Sequence, residues 1–425
     1  MSVHRPSFSG RKAYQHLNIL AGKIRNRMAG TRGEGRAIRY IGATFRSFGY
    51  RVRYQRFTIT TYLPYPASIQ LPTRGVVIKG FPIGLSRSTS KRGVRGKLYY
   101  FGEGDTRYLT TDLKGKILVL PATDFGYEWF SHLAEKRPEG VVLIERTPDR
   151  DPIRVQLEPE WPNRGFPIIR VRYDDGLHLT RMVGESAQLI SRCPARRAES
   201  CNVIAELKGE DFPEEVIIIG AHHDSSWEGP GATDNGGGVA LVLELARIFK
   251  KIGSRRTLRF ITWGAEEFGL RGSIAYLRKL RSKARDRIRL VVNIDVQGVL
   301  IGRNGAYIIG PEELTASVRL LAKEKGPPFD VKEGIYSSDG MPFATKGIPS
   351  VNFGRGGGST AYIHTDRDTI DHLSIDALEN QGRFIETWLY RYVAQANVFP
   401  FAREIPERIK KKVTEYFEKR LGVRV

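Results

Sequence analysis

The chain has 425 residues with 40% apolar content, enough to bury a large core in two or three domains, which excludes a mainly disordered protein. Two cysteines exclude a disulfide framework or a cysteine metal cluster, and no apolar run approaches the roughly 18 residues of a membrane span. The formal charge is +22, and residues 1–60 hold thirteen Lys and Arg against a single acid, Glu34. Such charge suits an acidic partner such as RNA or anionic lipid, but no nucleic-acid module with stacking aromatics accompanies it. A solvated basic surface is therefore the reading adopted. Cys193 and Cys201 either pair across a short loop or remain thiols. The opening MSVHRPSFSGRK lacks the apolar core of a secretory signal, so the expected location is the cytoplasm.

Residues 12–49 predict two helices, the first with Ala13, Leu17, Leu20 and Ile24 as its apolar stripe, the second over 36–48 and stopped by Gly49. Alternation in Tyr50, Val52, Tyr54, Phe57 and Ile59 predicts a strand with one slip of register between Tyr54 and Phe57. From about 62 to 200 the runs VVIKGFPIGL, KILVLPA, GVVLIER and FPIIRVRY are separated by Gly, Pro and charged turns. They predict a small β-rich domain with one helix near 127–136. The stretch LKGKILVLPATDFGYEWFSHLAEKRPEGVVLIERTPD, followed by FPIIRVRYDDGLHL, resembles in pattern a protease-associated (PA) domain inserted into a peptidase. It clusters no His, Cys and carboxylates and is assigned no chemistry. The resemblance implies a cover or substrate guide, with simple packing as the alternative.

From Asn202 strands and helices alternate: NVIAELKG, VIIIG, a helix to Lys250, TLRFITW, a helix from about Glu267, LVVNID, AYIIG, a further helix, and IPSVNF. This order predicts an α/β fold, a three-layer α/β/α arrangement with a mostly parallel central sheet. Beyond Phe401, Ile405, Ile409, Val413, Phe417 and Leu421 recur every four residues between basic flanks. They predict an amphipathic helix packed on the body or on a dimer partner, so a homo-oligomer stays open. The expected boundaries are 1–61 for the N-terminal part of the catalytic domain, 62–200 for the β-rich insert, 201–398 for the catalytic domain, and 399–425 for the basic helix.

The chain is organised around VIIIGAHHDSSWEGPGATDN, residues 216–235, where a buried strand runs into a loop rich in metal-binding groups. Strand alternation sends His222 and Asp224 one way and His223 the other, so His222 is the ligand candidate, Asp224 its supporting carboxylate and His223 a bystander. Asp234 precedes the apolar helix GGGVALVLELARIF, where it serves either as a ligand or as an N-cap. Glu266 and Glu267 follow TLRFITWGA, and Asp295 closes LVVNI. All lie at the carboxyl ends of predicted parallel strands, the edge where ligand sites form. His364, in YIHTDRDT, follows IPSVNF and a Gly-rich loop.

Crowded carboxylates repel, and two divalent cations turn such a cluster into a site. If one carboxylate bridges, His222 and Asp295 hold one zinc ion, Glu267 and His364 the other, and Asp234 both. Each ion then has three protein ligands and an open position. Cobalt or manganese would suit the same donors. Glu266, turned ~100° from Glu267 on the expected helix, is the general base.

The motifs GAHHDS, GATDNGGG, WGAEEFGLRGS, NIDVQG and IHTDRDT, in this order and spacing, closely resemble the co-catalytic two-zinc aminopeptidases of family M28. The match covers about 202–398, and the opening helices fit it too. It implies a zinc-exopeptidase type of fold, zinc ligation by the residues matching His222, Asp234, Glu267, Asp295 and His364, and Glu266 as base. It also implies a cis peptide from Asp234 to Asn235. One departure is Gly340 after Ser338 and Asp339, where many relatives carry His or Asn, so Asp339 is kept only as a supporting residue.

The implied reaction is removal of N-terminal residues from peptides. Three alternatives stay open: a carboxypeptidase of the same fold, a single-zinc enzyme like glutaminyl cyclases, and a non-catalytic binding protein of peptidase fold. Arg355 could receive a substrate carboxylate or lie solvated in its loop. Trp227 could line a side-chain pocket or pack beneath its loop.

Overall fold

The computed structural model describes residues 6–123, 126–161 and 165–423. The chain forms two compact units. One combines the segment ending at Ile59 with Glu199–Thr414, and the other combines Thr60–Ala198 with the segment that begins at Glu415.

In the first unit, helix Gly10–Leu17 is capped by Ser9, whose side chain accepts the Lys12 N–H, and it continues as the wider turns Asn18–Ile24. Ala13, Leu17 and Leu20 are fully buried, as their spacing requires. The second helix, Arg32–Ser47, starts four residues before the apolar pattern does because Thr31 caps it, accepting the Glu34 N–H at 3.4 Å. Glu34 in turn accepts the Gly30 N–H at 2.6 Å, so the end is closed by side chains rather than by apolar contacts. Strand β1 (Val52–Tyr62) follows.

The second unit is a closed barrel of seven strands: β2 (Ala67–Leu71), β3 (Val76–Pro82), β4 (Val94–Tyr100), β5 (Lys116–Pro121), β6 (Gly140–Ile144), β7 (Ile168–Val171) and β8 (Ser186–Ile190), in the order β2-β3-β7-β6-β5-β4-β8. Alternate residues, among them Ile69, Leu71, Ile117, Val119, Val142, Ile169 and Leu189, form its core, and closure leaves no strand edge unpaired. The expected helix spans Tyr127–Lys136, and a second one, Tyr173–Thr180, was not legible in the pattern. Buried Glu145 is paired with Arg170 at 2.9 Å. The end of the C-terminal stripe belongs to this unit: Phe417 and Leu421 are buried, and the Trp161 indole donates to the Leu421 carbonyl at 2.8 Å.

The remaining strands are β9 (Ala195–Leu207), β10 (Phe212–His222), β11 (Arg256–Trp263), β12 (Ile288–Ile294), β13 (Arg303–Ile309), β14 (Phe329–Glu333) and β15 (Ser350–Gly356). With β1 they form one sheet in the order β1-β9-β11-β10-β12-β15-β13-β14. The block β11-β10-β12-β15 is parallel throughout. On its flanks β9 runs antiparallel to β11, and β13 antiparallel to β15, so the sheet of this α/β unit is mixed. Strand β10 explains its own unbroken apolar run. Ile217 and Ile219 pack with Leu17, Val242 and Phe249 on one face, while Val216 and Ile218 pack with Trp263, Tyr276 and Phe343 on the other.

Cys193 and Cys201 are both buried thiols. No helix among the described residues is long and apolar enough to cross a membrane.

One partly buried histidine makes this unit acid-sensitive. His16 Nδ1 lies 2.6 Å from the Tyr40 hydroxyl, and burial, with Arg247 nearby, lowers its pKa to about 4. An unfolded chain takes up this proton near pH 6.5, while the native chain does so only near its lowered pKa. The stabilisation is therefore complete above pH 6.5 and is lost as pH falls toward 4, by about 3 kcal/mol in all. The melting temperature of the wild type is expected to drop more steeply over this window than that of His16→Gln; parallel curves would remove His16 as the cause.

Candidate metal centre

Parallel pairing brings three strand ends together. His222 closes β10 opposite Trp263 of β11, and Gly220 pairs with Asn293 of β12, two residues before Asp295. The helix Gly237–Ile252 starts against this edge, and glycine is what lets it do so. A Cβ at Gly238 would overlap the Asn235 side chain and the Ile294 carbonyl oxygen. Asn235, not Asp234, caps that helix, its Oδ1 accepting the Gly238 N–H at 2.9 Å while its Nδ2 donates to the Ile294 carbonyl at 2.8 Å. The Asp234–Asn235 peptide is cis. Of the two readings open for Asp234, the cap is thereby taken by its neighbour.

The Asp234 carboxylate is shared. Its Oδ1 lies 3.0 Å from His222 Nε2 and its Oδ2 lies 3.2 Å from His364 Nε2. Asp295 Oδ1 is 3.3 Å from the same His222 nitrogen, and Glu267 Oε2 is 3.0 Å from the His364 nitrogen. Two triads of donor atoms result, His222-Asp234-Asp295 and Asp234-Glu267-His364, each with its atoms within 4.8 Å of one another. Residues spread over 143 positions of sequence thus meet around one carboxylate.

Asp224 lies beneath both triads. His222 Nδ1 is 3.2 Å from its main-chain carbonyl and 3.6 Å from its carboxylate. That carboxylate also accepts the backbone N–H groups of Glu266 at 3.0 Å and Glu267 at 3.2 Å. Glu266 and Glu267 are not helical, contrary to the spacing-based expectation. Left-handed residues Ala265 (φ +55) and Leu270 (φ +62) enclose a turn, and the helix begins only at Arg271. The apolar pattern after TLRFITW extends unchanged across that turn, which is why it could not be seen. His223 points away, its Nδ1 3.2 Å from Thr262 Oγ1 and its Nε2 3.7 Å from Glu34.

Asp339 is buried and accepts from Ser273 Oγ at 2.5 Å. Arg355 is half-buried. It donates to the Val299 carbonyl at 2.7 Å, to Asn304 Oδ1 at 2.8 Å and to the Leu300 carbonyl at 3.3 Å, so its donors hold the loop before β13. Trp227 is half-buried in the loop after β10.

Three contributors escaped sequence reasoning. Asp368 accepts the N–H groups of Thr233 at 2.9 Å and Asp234 at 3.1 Å, fixing the backbone of the shared carboxylate. Its only signal was to be the second acid after His364 in IHTDRDT. Tyr336 is a partly buried phenol whose pKa is raised by desolvation and by Asp295, Asp234 and Glu266, so it keeps its proton. Arg27, on the coil between the first two helices, is wholly buried beside the cluster.

Burial would lower His222, but Glu266 and Asp295 outweigh it and raise its pKa well above the ordinary value; Glu267 and Asp234 do the same for His364. Burial, opposed by His222, raises Glu266, and Asp339 is pushed up to about 7, chiefly by burial. Imidazole nitrogens and carboxylate oxygens gathered in shared triads are the donor set that zinc takes, and a cation there would offset the carboxylate charge. The residues present fit the metal.

Asp224→Asn retains only one side-chain acceptor for two N–H donors and turns an amide against them. Divalent-metal affinity is expected to fall about 10- to 100-fold, read by competition with a chelating dye. Wild-type affinity in this variant would show that the Glu266–Glu267 backbone needs no such anchor.

Comparison with known proteins agrees with this arrangement. The description of peptidase family M28 matches residues 202–389. The aminopeptidase YwaD of Bacillus subtilis is 28% identical, over 97% of this chain and 90% of its own, and an aminopeptidase of Pseudomonas aeruginosa is 27% identical over 86% and 77%. Among solved structures, a zinc aminopeptidase from Bacillus subtilis superposes with a TM-score of 0.78 at 28% identity, covering 95% of this chain and 99% of that one. The aminopeptidase of Aneurinibacillus sp. strain AM-1 gives 0.75 at 26% identity, covering 93% and 96%. The ordered motifs and these likenesses agree: residues 202–389 match peptidase family M28, and the chain is similar along most of its length to known aminopeptidases.

Proposed function

We propose that the protein is a zinc aminopeptidase that holds two zinc ions and removes N-terminal residues from peptides. The observation that carries this reading is the shared carboxylate: Asp234 presents one oxygen to each histidine, at 3.0 and 3.2 Å, so one residue belongs to both donor triads. His222 and Asp295 would hold one ion and Glu267 and His364 the other, with Asp234 belonging to both donor groups. Zinc at such positions supplies Lewis acidity toward a carbonyl and acidifies water. We read the sheet unit as the three-layer α/β/α arrangement of zinc exopeptidases and the barrel as a PA-like insert, with domain limits at 1–61, 62–200, 201–398 and 399–425.

The chain's own residues divide the remaining work. Glu266, partly exposed and held by its N–H to Asp224, takes the proton of the attacking water and passes it to the departing amine. Asp224 keeps Glu266 beside Glu267 and orients His222. Asp368 holds the backbone of Asp234. Cleavage at the amino end is supported by the relatives, which are named aminopeptidases.

The test is a mixed peptide pool incubated with the zinc-loaded protein beside its Glu266→Gln variant, with products read by mass spectrometry. Residues are expected to leave the amino end. The variant should retain zinc while its rate falls by about two to four orders of magnitude. Loss from the carboxyl end would reassign it as a carboxypeptidase, and undiminished turnover in the variant would remove Glu266 as the base.

A further inference from the structure

The loop between His222 and Asp234 has no secondary structure to hold it until the turn at Ala232, yet both its ends must be placed to within a fraction of an ångström. Arg27 reaches into it from the N-terminal segment. Its Nε donates to the His223 carbonyl at 2.8 Å, its Nη1 to the Pro230 carbonyl at 2.5 Å and its Nη2 to the Gly231 carbonyl at 2.9 Å. Its own backbone N–H donates to Ser225 Oγ at 3.0 Å, and that hydroxyl donates to the Gly229 carbonyl at 3.0 Å. The acceptors begin one residue after His222 and end three residues before Asp234. Further bonds from Nη1 to the Arg25 and Leu20 carbonyls, at 3.0 and 3.3 Å, tie the guanidinium to its own segment. A Cβ at Gly231 would overlap the Asp234 carbonyl oxygen at 2.5 Å and Ser225 Cβ at 2.7 Å and press on the guanidinium at 3.0 Å, so the loop closes tightly beside the arginine.

The charge matters as well as the shape. Arg27 is fully buried, a position that is costly for a cation unless compensated. Burial lowers its pKa to about 10, and Asp368, Asp224, Asp234 and Glu267 oppose that shift. It therefore stays charged at neutral pH, facing the back of the acidic cluster. Each carbonyl bond is geometric work that a fork of five N–H donors performs and a single ammonium cannot.

We propose that Arg27 is a positioning residue of the metal centre, clamping the 223–231 loop so that His222 and Asp234 face one ion and offsetting the charge of the carboxylates around them. This rests on the reading of the site as a zinc centre. It separates Arg27 from residues that touch metal or substrate: its effect passes through the loop.

The experiment compares the wild type with Arg27→Lys and Arg27→Met. Metal-free protein is titrated with zinc against a chelating dye, and the visible absorption of the cobalt-loaded forms is recorded. Arg27→Lys, which keeps the charge and loses the fork, is expected to bind zinc about 10- to 100-fold more weakly and to show altered cobalt bands. Arg27→Met should be weaker still, and excess zinc should return part of the turnover at an unchanged KM. If Arg27→Met does not fold, as circular dichroism would show, Arg27→Lys decides alone. A lowered melting temperature with wild-type zinc affinity and wild-type cobalt bands overturns the proposal, leaving Arg27 as ordinary packing. Should the wild type itself take up no zinc, the functional reading fails and this inference fails with it; if only the variants match the wild type, the functional reading survives.

Discussion

Mutual repulsion among carboxylates is the constraint around which this protein is built. Asp224, Asp234, Glu266, Glu267, Asp295 and Asp339 all gather where β10, β11 and β12 end, in an environment that screens charge far less than water does. No polypeptide assembles such a group without opposing charge. The buried Arg27 cation and backbone N–H groups offset part of it, and a bound divalent metal completes the balance. The same crowding that makes the site costly is what makes it bind metal, so stability and function draw on one set of residues.

The rest of the sheet unit can be understood as the support for that crowding. Rigid parallel strands carry His222 and lead directly to Asp295, while the other contributors sit on turns whose backbones are forced into uncommon shapes. Ala265, Val296 and His364, beside or within the cluster, have φ values of +55, +61 and +63. Left-handed backbone at such residues costs on the order of 1–3 kcal/mol each, and it persists only where the surroundings over-determine it. They do so here: Asp224 holds Glu266 and Glu267, the Asp295 N–H donates to the Phe353 carbonyl, and the Arg355 N–H donates to the Val296 carbonyl. Arg355, through its backbone N–H, thus ties down the loop that follows Asp295.

The barrel solves a different problem by itself. With seven short strands it has a small core, and it protects its hydrogen-bonding edges by closure rather than by covering layers. Its buried Glu145–Arg170 pair satisfies two charges internally, and among its described residues no group of metal-binding side chains converges.

Much of this was readable in the chain alone. The unbroken run Val216–Ile219 announced a strand buried on both faces, and strand alternation separated His222 from His223. The position of acids after successive strands predicted their convergence, because parallel strands joined by helices must end at one edge. These features are local or follow from chain order. Other features were decided only by tertiary contact. The pattern after TLRFITW could not distinguish a helix from the turn that holds Glu266 and Glu267, since the distinction rests on a carboxylate at Asp224, 42 and 43 residues away. Nothing in IHTDRDT marked Asp368 as the anchor of Thr233, 135 residues distant, and nothing near Arg27 marked its bond to His223, 196 residues distant. Periodicity records which face of an element is buried. It carries no record of which distant N–H or carbonyl a buried polar side chain will find, and those pairings exist only once the chain has folded.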